Sequence, residues 1–411
     1  MSIKTPSLSN RALDLPRSSI RRLFNAAKAL EAQGHEVYRL DIGDPDFEMP
    51  PRIGDAVTQA LREGETHYSP TFGIPPLRGA IARHLRRRGL DVDDSRIVCS
   101  QGATQALHAA VLSVCDAGRS VLYPQCYFPN YMQQAALTGV RPLFYPLDDE
   151  FQPILGRLED IRDERLQAIL INSPSNPTGA VFPADTIRRL YDFARRRGLW
   201  IISDEAYVDF VFKGETLSPL QIDLQADPEE RRVLAVYSFS KSFAVTGLRM
   251  GWTVAPNPEV ALSLATVNEP LTGCLTTPLQ WGMVAALSQD DSGERRRQLA
   301  GRLQLALEIL RAEGLRVRAP HGGMFFFMDV SATGMDGDTF ADRLLEEERV
   351  AVVPGSGFAL VPDSDCHGRL TFKPHARASF CIRFCFAVPE ERLRGGLRRL
   401  ASFINRHSET E

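Results

Sequence analysis

The 411 residues carry 48 Lys and Arg against 51 Asp and Glu, a formal net charge of -3, with 44% hydrophobic and 24% charged side chains. That length suffices for two domains with separate cores, the composition is that of an ordinary soluble globular chain, and the lack of a basic excess argues against a general nucleic-acid binder. Seven cysteines without a CxxC pair fit free thiols in a reducing cytosol better than a disulfide framework or a zinc centre.

In chain order, MSIKTPSLSNRALDLPRSSIRRLF has no continuous apolar stretch of the kind a signal peptide needs. No run approaches the roughly 18 apolar residues of a membrane span. Residues 1 to 50 read as an arm, a helix from Ile20 to Gln33 and a short strand in VYRLDIG. From Pro51 to about Ala286 helical and strand patterns alternate. The segment SQGATQALHAAVLSV is a helix that opens on Gly102, Ala103 and Thr104, and AILIN (168–172) is a short buried strand. In IRRLYDFARRRG (187–198), Ile187, Leu190, Tyr191 and Ala194 fall at i, i+3, i+4 and i+7, an amphipathic helix closed by Gly198. LWIISD (199–204) and VLAVYSFS (233–240) are further strands. Strand, helix, strand in this rhythm predicts a parallel sheet with right-handed crossovers.

Near Asp290 the pattern changes. A long Arg/Leu-rich helix is followed by alternating GGMFFFMDV and RASFCIRFCF, which predict a smaller α+β unit packed with the N-terminal segment. In the second of these, Phe380, Ile382, Phe384 and Phe386 fall on one strand face and Arg383 on the other, with Cys381 and Cys385. The triplets Arg86-Arg87-Arg88, Arg195-Arg196-Arg197 and Arg295-Arg296-Arg297 read as solvated helix ends.

Polar residues collect where the strands end. AILIN runs into SPSNPTG with Asn176, LWIIS into DEAY with Asp204 and Tyr207, and VLAVYSFS into Lys241. Ligands of open α/β sheets bind beyond the carboxyl ends of the strands, so these residues describe one site. The helix opening at Gly102-Ala103-Thr104 offers free backbone N–H groups and a favourable dipole to an anion such as phosphate. No GxGxxG follows a first strand, which argues against a dinucleotide fold.

The segment SFSKSFAVTGLRMGW (238–252), with an arginine eight residues after its lysine, resembles the cofactor-lysine motif of the class I/II, fold type I aminotransferases that depend on pyridoxal phosphate (PLP). NSPSNPTG and SDEAY resemble that family's other cofactor segments, and DIGDPDF, HYSPTFGIPPLRGAI, GATQAL, PGSGF and CIRFCFA extend the likeness over roughly residues 38 to 390. The resemblance implies a large α/β domain (51–290) with a mainly parallel seven-stranded sheet. It adds a small α+β domain (291–411), with residues 1–50 as an arm and part of that domain. It implies a cytoplasmic homodimer without a metal that exchanges amino groups between an L-amino acid and a 2-oxo acid by a ping-pong route. The same scaffold also hosts β-lyases, cyclising synthases and oxidases.

Residue by residue, the resemblance makes Lys241 the covalent anchor and proton carrier and Asp204 the partner of the ring nitrogen. Tyr207 and Asn176 become partners of the ring's phenolic oxygen. Arg249, Ser238, Gly102, Ala103 and Thr104 would hold the phosphate, together with Tyr68 reaching in from the other subunit. Sequence alone does not rank Ser238, Ser240 and Ser242; the resemblance selects Ser238. Phe128 would stack on the ring, with Tyr127 exchanging for it on a one-residue shift. Arg383 would bind the substrate α-carboxylate and Gly43 would let backbone approach the substrate. Some aspartate-specific relatives place a lysine where this chain has Thr104, which argues against aspartate as the sole donor.

Overall fold

The apolar runs near 168, 200 and 233 are too short for stable helices and rich in Ile, Leu and Val. In the computed structural model, which describes residues 8–13, 15–16, 18–364 and 370–408, they lie side by side as inner strands of one sheet. Its seven strands are β1 (Ile97–Ser100), β2 (Ser120–Pro124), β3 (Arg141–Tyr145), β4 (Leu166–Asn172), β5 (Trp200–Asp204), β6 (Val233–Ser238) and β7 (Gly251–Val254). They are ordered β1-β7-β6-β5-β4-β2-β3. Only β7 runs against its neighbours; the other pairings are parallel.

Both faces of this sheet are buried, which is why its strands read as continuous apolar runs. Ile169, Ile171 and Ile201 enter one core, where Ile187, Leu190, Tyr191 and Ala194 of the helix Ala184–Arg196 cover them. Ala168, Leu170, Ile202, Leu234 and Val236 enter the other, under the helix Gly102–Val114.

A third core joins the first long helix to the later part of the chain. Leu23 and Ala27 of the helix Ser19–Ala32 pack with Leu299 and Leu310 of Ser292–Ala312, Leu344 of Gly337–Glu348 and Leu400 of Glu390–His407. Its sheet holds β8 (Phe325–Asp329), β9 (Val353–Pro354) and β10 (Cys381–Cys385), antiparallel in the order β9-β10-β8. The two-residue strand Tyr38–Arg39 pairs in parallel with Val350–Ala351.

Three local readings need correction. The strand at RASFCIRFCF is shorter than its alternation suggests: Ala378–Phe380 is a 3-10 turn and Phe380 is 42% exposed. Cys381 and Cys385 alternate onto the same strand face as Arg383 but do not open with it into one pocket: Cys381 is buried in the core that holds Ile169 and Cys385 in the third. The arginine triplets are not uniformly solvated: Arg88 ion-pairs with the nearly buried Asp209, and Arg295 is buried. Periodicity shows which helix face a residue occupies, not that a long side chain turns back into the protein. The six described cysteines are free, and Cys366 lies outside the described residues. Among the described residues no helix is long and apolar enough to cross a membrane.

Candidate active site

The parallel strands deliver their carboxyl ends to one edge, and a cavity of about 240 Å³ opens there. Asn172 and Asp204 end β4 and β5, and Ser238 ends β6. The reversal of β7 matters: its amino end lies at that same edge, so Arg249, two residues before it, arrives beside groups carried by parallel strands. Gly43, Ala103, Thr104, Phe128, Asn176, Asp204, Tyr207, Ser238, Lys241, Arg249 and Arg383 all line the cavity. Of the expected residues, Gly102 sits just behind the wall and Tyr68 lies outside, 96% exposed.

The strand expected over 233–240 ends at Ser238, and Lys241 follows it in a single helical turn, Phe239–Ser242. Its Nζ donates to the Gly43 carbonyl. Burial pushes its pKa down to about 8, with Arg249 and Arg383 adding to the effect against Asp44. An amine so placed is neutral often enough near pH 8 to act as nucleophile or base.

Asp204 is held by two donors. Tyr131 Oη donates to its Oδ2 at 2.6 Å and the Ala206 N–H to its Oδ1 at 3.1 Å. Burial raises its pKa while these hydrogen bonds pull it back towards the ionised form. Tyr131 was missed in the sequence, where the last tyrosine of YPQCYFPNY looks like one more core aromatic. We expect Tyr131→Phe to lower kcat about tenfold and to move the acid limb of the kcat/KM pH profile upward, because a carboxylate that loses a donor holds its proton to higher pH. An unmoved acid limb would detach Tyr131 from the chemistry.

Arg383, on β10, is 2% exposed. Nη1 donates to Asn176 Oδ1 at 3.0 Å and Nη2 to the Asp41 carbonyl at 2.7 Å, while Nε has no partner. The guanidinium lies over Phe325 and Phe358, 4.1 and 4.8 Å from their centroids. Burial lowers its pKa to about 10. Asn176 is fixed in turn, its N–H donating to Asn172 Oδ1 at 3.0 Å.

The end of the cavity beside Arg249 is built by close backbone approach. A Cβ on Gly102, whose φ is +73, would come within 2.8 Å of Arg249 Nη2; a Cβ on Gly251 would come within 2.8 Å of the Gly102 carbonyl carbon. The left-handed Arg249 (φ 53) is held by Nη1 donating to the Thr246 carbonyl at 2.8 Å. Of the three serines, Ser238 and Ser240 line the cavity and Ser242 does not. Phe128 also lines it, whereas Tyr127 turns into the core, stacks on Phe144 and donates to the Leu360 carbonyl. Gly43 is required for a reason internal to the protein: a Cβ there would meet Phe325 Cζ at 2.4 Å. Ile20, Ile42 and Leu107 complete the wall and were not foreseen, since nothing in their local patterns separates them from core residues.

A mostly parallel sheet with a lysine, a buried carboxylate and two arginines gathered at its carboxyl edge defines a fold type I transferase. Residues 35–400 match the family described as aminotransferase class I and II, and the chain belongs to that family. It is 36% identical over 405 residues to the probable aspartate/prephenate aminotransferase of Aquifex aeolicus, covering 96% of this chain and 97% of that protein. To aromatic-amino-acid aminotransferase 2 of Thermococcus litoralis it is 32% identical, covering 86% and 90%. The crystal structure of Thermotoga maritima aspartate aminotransferase superposes with a TM-score of 0.86 at 31% identity, over 97% of this chain and all of that one. The protein is thus an enzyme of amino-group transfer, and these relatives do not favour lyase, synthase or oxidase chemistry.

Proposed function

We propose that this enzyme uses PLP to move an α-amino group from an uncharged, largely apolar L-amino acid to a 2-oxo acid, in the cytosol and as a homodimer. The observation that carries the reading is the division of labour among three cations and one carboxylate around a single cavity. The residues fit the cofactor: Gly102 and Gly251 leave backbone and Arg249 bare where a phosphate would sit, Lys241 offers a depressed amine, and the buried Arg383 Nε lacks a partner. PLP, when bound, supplies an electron sink that stabilises negative charge at the substrate Cα.

The chain's own residues do the rest. Lys241 anchors the cofactor and then carries a proton to and from the substrate Cα. Asp204, fixed by Tyr131, keeps a proton on the ring nitrogen, and Tyr207 and Asn176 donate to the phenolic oxygen. Phe128 covers the ring. Arg249, Ser238 and the backbone of Gly102, Ala103 and Thr104 take the phosphate. Arg383 takes the α-carboxylate, on backbone that Gly43 keeps close. The exposed Tyr68 supports a site completed across a dimer interface, and the free buried thiols support a reducing compartment. We place the division between a large unit, 51–290, and a small one, 291–411 with part of 1–50, near Asp290, and movement of the small unit would release product.

The donor class follows from charge. Lys241, Arg249 and Arg383 are the cations that line the cavity among the described residues, and each has a task. In this cavity a second substrate carboxylate would lie against Ile20, Ile42, Leu107 and Phe325, while Arg21 lines the adjoining cavity rather than this one. Thr104 supplies no countercharge. The test is to add single amino acids to the holoprotein without any keto acid, following the visible cofactor band and released 2-oxo acid. Leucine and phenylalanine are expected to bleach the band faster than aspartate, one 2-oxo acid forming per site. Release of ammonia, pyruvate or peroxide instead would overturn transamination, and faster bleaching by aspartate would overturn the donor class.

A further inference from the structure

The triplet Arg295-Arg296-Arg297 opens the helix Ser292–Ala312, whose later turns pack into the third core. Arg296 and Arg297 point to solvent, and Arg297 pairs with Glu294. Arg295 does the opposite. It is 7% exposed, and its Nη1 donates to the carbonyl of Ser242 at 2.6 Å. Ser242 is itself buried and is the last residue of the single turn that carries Lys241.

A four-residue helix cannot satisfy its own terminal carbonyls, and a buried one left bare is costly. A guanidinium is a strong donor and complements the negative end of the turn. The arginine is fixed from behind: Asp291 lies 3.7 Å from its Nη2 and also pairs with Arg52, whose Nε donates to the Ala285 carbonyl at 3.1 Å. The turn that holds Lys241 is thus clamped on one side by Nζ donating to Gly43 and on the other by Arg295. Both clamps reach it from elements distant in sequence.

We propose that Arg295 is a positioning residue for Lys241: by holding the Ser242 carbonyl, the first turn of the long helix sets where the Lys241 amine stands. The proposal rests on the reading of Lys241 as the covalent anchor. Expectations differ for ligands that do and do not bond to the lysine. PLP carries an aldehyde, with which the Lys241 amine condenses, forming a carbon–nitrogen double bond and releasing water. Pyridoxamine phosphate carries an amine in its place and fills the same phosphate and ring contacts without that bond.

The experiment measures both on the apoprotein, for wild type, Arg295→Met and Arg295→Lys. Growth of the visible band reports capture of PLP, and calorimetry reports binding of pyridoxamine phosphate. Arg295→Met is expected to capture PLP roughly tenfold more slowly, with pyridoxamine phosphate affinity changed less than about twofold. Arg295→Lys, which keeps a donor, is expected to recover most of the capture rate. Equal losses for both ligands in Arg295→Met would show general damage to the site and overturn the proposal, as would an unchanged capture rate. A wild-type protein that binds PLP without developing the band would overturn the anchor reading itself, and is distinguishable from either.

Discussion

Lys241→Met is expected to cut kcat by about a thousandfold or more while making the cofactor-free protein more stable at neutral pH. The loss follows from removing the one lysine that lines the cavity among the described residues, proposed above as both anchor and proton carrier; groups in such roles contribute about 10²- to 10⁴-fold each. The gain in stability follows from the amine's depressed pKa, about 8 against an ordinary 10.5. In the folded chain the charged form is disfavoured, so below pH 8 the wild type carries a full desolvation penalty that the variant lacks. As pH rises from 8 to about 10.5 the unfolded chain loses its proton as well, and the difference fades. The gain is at most roughly 3 kcal/mol, since each pKa unit corresponds to about 1.4 kcal/mol. Thermal melts of both proteins at pH 6.5 and pH 10 check it. A variant with ordinary turnover would remove Lys241 from the mechanism, and a stability difference that grows with pH would mean burial is not what depresses the amine.

The second large effect is at Arg383. Arg383→Lys is expected to raise KM for every amino donor on the order of 100-fold, with kcat changed far less. The charge is kept, so the loss isolates geometry. A guanidinium can hold Asn176 and the Asp41 carbonyl and still present an edge to a carboxylate, while its plane lies against Phe325 and Phe358. An ammonium has no plane to stack and no fork. Steady-state kinetics on apolar, aromatic and acidic donors would check it. A uniform rise identifies the α-carboxylate, common to all of them; a rise confined to acidic donors would place Arg383 at the side chain instead.

Much of this site is written in the chain because several of its residues stand within a few positions of the end of an apolar run. Lys241, Asp204 and Asn176 each follow an apolar run at a fixed offset, and a parallel sheet brings such offsets to one edge whatever the loops do. Arg249 is subtler: its place depends on β7 running backwards, which strand composition does not encode. Tyr131 and Arg295 were hidden for a different reason. Each acts through a hydrogen bond to a residue far away in sequence, and locally each satisfies a bland pattern, one a buried aromatic on a helix and the other a charge in a basic run. The choice between Tyr127 and Phe128 was open for the same reason, since a one-residue rotation of the chain after β2 exchanges them. The hairpin of Leu360–Ser364 with Leu370–Pro374 also went unread.

The bond from Arg383 to the Asp41 carbonyl spans 342 positions. A ribosome delivers Lys241, Asp204, Arg249 and the Gly102 helix well before it delivers Arg383. The part of the pocket that would grip a phosphate and offer an amine is therefore synthesised first, and the clamp for a substrate carboxylate only near the end of translation. On a growing chain the two halves of the site therefore emerge at different times, and the bond between Arg383 and Asp41 can close only once nearly the whole chain has been made.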